Sequence, residues 1–136
     1  MTEDEIKEEL LALARRHNID VVNIDTRNDA SPDVAFPFIR QIMMNPNFAT
    51  GYHYVFRLAH EISHIIYGDA HALPYYRFSP LFLKTEEITA NTQAIRVIAR
   101  IVYRDVPVEQ RNWVEFMDYL GLQMHFEPIV KRILFN

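Results

Sequence analysis

The sequence predicts an α+β fold, with a small three-stranded sheet packed on a helical half. Three observations predict it. Short β-branched or alternating runs, bounded by Asn, Asp and Pro, lie between positions 19 and 45. From Thr50 onward the apolar residues recur every three or four positions, the helical period. The chain has 136 residues, 49% of them hydrophobic, which suits a single domain over 1–136 around one core. Three glycines, no Ser- or Gly-rich run and no internal repeat leave no sign of a linker.

Each element has its own justification. Thr2 and Glu5 fit a capping box, and Ile6, Leu10, Leu13, Ala14 and His17 follow at helical spacing, so a helix is expected over 3–17. "IDVVNID" (19–25) reads as a strand and "TRNDASPD" (26–33) as turn chemistry. "VAF" is a second short strand, stopped at Pro37, and "IRQIMMN" (39–45) a third, expected at a sheet edge. A helix over 51–67 is expected from Tyr52, Val55, Phe56, Ala59, Ile62 and Ile66, with Thr50 as N-cap and Gly68 ending it through a positive φ. "DAHALPYYRFSPLFL" (69–83) reads as an aromatic loop. Further helices are expected over 84–102, over 109–120 before Gly121, and from Pro128 to Leu134.

Composition excludes several functions. A net charge of -4, with no Lys/Arg block, argues against direct nucleic-acid binding. No run approaches the roughly 20 apolar residues of a membrane span, and the acidic start "MTEDEIKEELL" is unlike a signal peptide, so a cytoplasmic location is expected. Cysteine is absent, so any metal must be held by His, Asp or Glu, and any nucleophile must be Ser, Thr, a carboxylate or water.

Against that background "RLAHEISHIIYGD" (57–69) stands out, because it sets His60, Glu61 and His64 in an apolar helix. His60 and His64, four apart, lie about 40° apart around a helix and one turn apart along it, so both imidazoles can reach one ion. Glu61 is rotated by about 100° from His60, where it reaches a water on that ion from the side. This is the physics of His-Glu-x-x-His: two ligands and a base. With six His and ten Glu in the chain, chance alone produces the pattern about two times in a hundred, so it needs corroboration. The apolar flanks supply some, since burying three polar groups there is costly unless something pairs them.

A catalytic zinc wants a third protein ligand and an open position. His71 comes one residue too late for the metzincin spacing, as does Gly68, and nothing places His125. The next helix, "KTEEITANTQAIRVIARIV", sets Glu87, Ala90, Asn91 and Ala94 on one face. The small residues let a partner helix approach, Glu87 projects toward it, and Asn91 can bond the free nitrogen of a ligating histidine. This face favours Glu87 as the ligand.

"HEISH" followed by "EITANTQA" resembles the ImmA/IrrE family of zinc metallopeptidases, found in bacteria and their mobile elements. The family reads His-Glu-x-x-His, then Glu-x-x-Ala-Asn/Asp-x-x-Ala on the next long helix. The resemblance spans about 20–100, including "IMMNPNF" ahead of the helix, with a weaker echo from Trp113 to Leu134. It departs at Ser63, where the family often has Gly, at Gln93, where a Phe is usual, and in "AIRVIARIV", which lacks the family's usual helix ending. The resemblance implies a zincin-like fold with His60, His64 and Glu87 as ligands of one Zn²⁺, Glu61 as base, and a helix-turn-helix repressor of a phage or mobile element as substrate.

The expected activity is therefore that of a zinc endopeptidase acting on a protein or peptide. Zinc would lower the pKa of its water toward about 7, and Glu61 would pass that water's proton to the leaving amine. The 39–45 strand would pair with substrate by β-augmentation. His71, Tyr67, Tyr75 and Tyr76 are candidates for stabilising the transition state. The rival reading is a non-catalytic, zinc-binding regulatory module on the same fold, and the presence of Glu61 argues against it. A metal-free interaction domain using the aromatic 75–83 segment is the third reading.

Overall fold

A computed structural model gives the structure, describing residues 1–68, 76–77 and 85–136, with only the backbone of 76, 77, 85 and 86. It is α+β, with five α-helices and one small mixed sheet among those residues. The helices are α1 (Glu3–Arg16), α2 (Tyr54–Tyr67), α3 (Thr85–Tyr103), α4 (Trp113–Leu120) and α5 (Glu127–Phe135). The strands are β1 (Asp20–Asn23), β2 (Val34–Phe36), β3 (Gln41–Met44) and β4 (Tyr76–Arg77). No helix among the described residues is long and apolar enough to cross a membrane.

The local chemistry behaves largely as the sequence predicts. At the head of α1, the Thr2 hydroxyl accepts from the Glu5 amide while the Glu5 carboxylate accepts from the Thr2 amide. Ile6, Leu10 and Ala14, one face of that helix, are buried. Gly121 ends α4 at φ 68, and a Cβ there would overlap the Gly51 carbonyl, so glycine serves both backbone angle and close approach.

Several expectations are corrected. The sheet has four strands rather than three, in the order β1-β3-β2-β4. The fourth, β4, lies inside the segment read as loop, and its partner β2 is antiparallel. The third strand is interior, not an edge: β3 runs parallel to β1 and antiparallel to β2. Both its hydrogen-bonding sides are thereby used, which removes it as a site of β-augmentation. Thr50 is not the N-cap of α2; its hydroxyl accepts from the Tyr52 amide in a tight turn, and His53 occupies the cap position. Gly68 has φ -82 rather than a positive value, and its lack of a side chain matters because a Cβ would overlap the His64 carbonyl oxygen. The helix expected over 109–120 is split into a 3-10 turn at Val108–Gln110 and α4, since Asn112 caps α4 by accepting from the Glu115 amide.

These elements enclose α2. Every residue from Val55 to Ile65 is buried, so this helix lies at the centre of the molecule. The inward residues of the sheet, Ala35, Ile42 and Met44, cover one side of the core, and α1 and α3 flank the helix. Its most extensive packing is against α3, where buried Ala90 and Ala94 leave room for a close approach.

Candidate metal centre

A helix buried on all sides must provide a partner for each polar side chain it carries. Ser63 bonds back to the Ala59 carbonyl at 2.7 Å, the usual device for a hydroxyl inside a helix. Arg57 faces Asp33, with Nη1 3.5 Å from Oδ2, and both are buried. Asp33 also accepts from the Asn45 amide at 2.7 Å, and the Asn45 side chain donates to the Asn28 and Ser31 carbonyls. Burial raises the pKa of Asp33 and lowers that of Arg57, while their mutual attraction opposes both shifts. Sequence reasoning missed this network. Asp33 read as turn and Arg57 as a helix residue, and their only signal is a charge at a position of apolar spacing.

His60 and His64 meet Glu87 as expected. His60 Nε2 lies 3.0 Å from Glu87 Oε2, His64 Nε2 lies 2.9 Å from Oε1, and the two Nε2 atoms are 3.1 Å apart. The three residues are buried, and they form a group whose donor atoms could hold a metal ion. Donors bound tetrahedrally to one ion at about 2.0–2.1 Å would sit about 3.3 Å apart, so the triangle needs only slight expansion to take one. Asn91 is also where the sequence places it. Its Oδ1 is 2.7 Å from His60 Nδ1, so that nitrogen donates, and Nε2 is the atom that would turn to an ion once deprotonated.

Glu61 stands apart. It is fully buried, and neither carboxylate oxygen has a hydrogen-bond partner among the described residues. Burial pushes its pKa well above the usual range, Asp33 and Glu87 push the same way, and Arg57 opposes. Burial acts on Glu87 too, but hydrogen bonds to His60 and His64 outweigh it and hold Glu87 at about 2. Two carboxyls on neighbouring helices are thus driven in opposite directions.

Tyr67 is partly exposed and lines a separate cavity between α1, α3 and α5. His71 and Tyr75 lie outside the described residues, as does the side chain of Tyr76. His53 bonds to Glu3 and to the Tyr119 carbonyl. His125 is exposed next to Phe126. Compared with protein-family models, with curated proteins and with solved structures, the chain matches none.

Proposed function

We propose that the protein is a zinc-dependent endopeptidase. The observation that carries the reading is Glu61, a buried carboxyl without a hydrogen-bond partner among the described residues, next in sequence to a member of a buried two-histidine, one-carboxylate group. A structural metal site has no use for such a group. A hydrolase does, since a base must take a proton from water and return it to the leaving amine.

His60, His64 and Glu87 would hold the ion, with Asn91 orienting His60. When bound, the ion acidifies a water and polarises the scissile carbonyl. Glu61 takes the proton and passes it to the leaving amine. The two histidines hold Glu87 in its carboxylate form, the form a metal ligand needs. The same donor set suits Fe(II), but oxidative chemistry does not need a buried carboxylate base, and this favours zinc. The resemblance to ImmA/IrrE peptidases adds the substrate class: a regulatory protein, such as the repressor of a phage or mobile element.

Metal analysis and peptide cleavage test the reading together. The purified protein is expected to bind about one zinc per chain, with His64→Ala losing it. Glu61→Gln is expected to keep the zinc while cleavage falls about 10²–10⁴-fold. A Glu61→Gln variant with full zinc and undiminished cleavage would remove Glu61 as the base, and a wild type that binds zinc without cleaving would leave only a non-catalytic zinc module.

A further inference from the structure

A second site lies at the far end of α3. A cavity of about 610 Å³ opens between the C-terminal ends of α1 and α3 and the face of α5, within the ~300–1,000 Å³ usual for small-molecule sites. Five of the chain's 14 basic residues line it: Arg16, Arg96, Arg100, Arg104 and Arg111, with Glu9 the only acid among the described residues. Arg111 is engaged in the fold, donating to the carbonyls of Tyr103, Val106 and Leu134. Among the described residues Arg104 pairs only with Asp105, at 3.9 Å and in solvent. Arg16, Arg96 and Arg100 are exposed and form no ion pair among the described residues.

The bland explanation is that cations suit helix C-termini. It covers Arg16 on α1 and Arg100 on α3. It does not cover Arg96, two turns inside α3, where a like charge four residues before Arg100 is mildly destabilising. Nor does it explain why all of them converge on one cavity with an apolar wall, Val97, Ile101 and Ile133, and a partly exposed tyrosine, Tyr67. The chain as a whole carries -4, so this concentration of positive charge is local.

We infer that this cavity binds a nucleoside phosphate. Guanidinium forks match phosphate oxygens in geometry and charge. Tyr67, 42% exposed, offers a ring on which a base can stack, and Val97, Ile101 and Ile133 add apolar lining to the same cavity. The site stands independently of the metal centre, although Tyr67 ends the helix that carries His60 and His64, and α3 carries Glu87.

Calorimetric titration of the zinc-loaded protein with ADP, GDP and pyrophosphate tests this. ADP or GDP is expected to bind, and Arg96→Glu/Arg100→Glu, on an exposed face, to weaken binding by about tenfold or more while zinc content stays unchanged. Tyr67→Ala is expected to weaken the nucleotides and leave pyrophosphate unaffected. No binding of either nucleotide at about 1 mM, an unchanged affinity in the double variant, or pyrophosphate binding as tightly as ADP would overturn the assignment.

Discussion

Glu61 is the residue where stability and proposed function conflict. Its carboxyl is buried without a hydrogen bond among the described residues, so the charged form is disfavoured in the folded chain. A carboxyl raised in the folded state keeps its proton there after the unfolded chain has released it. The folded state is therefore penalised as pH rises above the ordinary 4.5. Glu61→Gln removes the ionisable group at nearly the same volume. In the metal-free protein this variant is expected to melt higher than wild type at pH 8, by about 4 °C or more, with the gap closing below pH ~4. Thermal melts across that range check it, and a constant gap at all pH values would contradict the assignment of an ionisation penalty.

At the scale of elements, the buried Asp33–Arg57 pair joins the segment just before β2 to the first turns of α2. Asn45, just after β3, completes it through its amide and side chain. The sheet end and the helix that carries His60 and His64 are thus locked together by charges rather than by apolar contact alone. Removing one partner leaves the other charged and buried. Asp33→Ala is expected to cost about 3–5 kcal/mol in urea unfolding. Adding Arg57→Met to it should recover most of that loss, because the pair itself contributes little beyond neutralising its own burial. A double variant as unstable as the single one would mean that Arg57 holds the fold in some other way.

At the scale of the whole molecule, the His60, His64 and Glu87 group, which could hold a metal ion, joins α2 to α3, the most extensive helix pair among the described residues. An ion that binds only the folded chain stabilises it by mass action, about 4 kcal/mol at a thousandfold excess over Kd. Zinc is therefore expected to raise the melting temperature by about 10 °C or more and a chelator to reverse it, with no effect in His64→Ala. Differential scanning calorimetry distinguishes this from weak surface binding, which would persist in the variant.

What the sequence determined by itself was local. The capping box at Thr2 and Glu5, the helical spacing of His60 and His64, and the shared face of Glu87 and Asn91 all act over one to four residues, and each is found where its spacing puts it. Most helix boundaries were readable for the same reason. Only the tertiary structure decided the rest. Strand order depends on pairing between distant segments, so the interior place of β3 was not legible in its alternation. Asp33 and Arg57 are far apart in sequence, and a turn residue gives no sign that it will be buried against a helix. Arg96, Arg100 and Arg104 recur every four residues, but only helix packing brings Arg16 to the same cavity. Short-range chemistry is written in adjacent residues, whereas long-range electrostatics exists only once the core has brought the helices together.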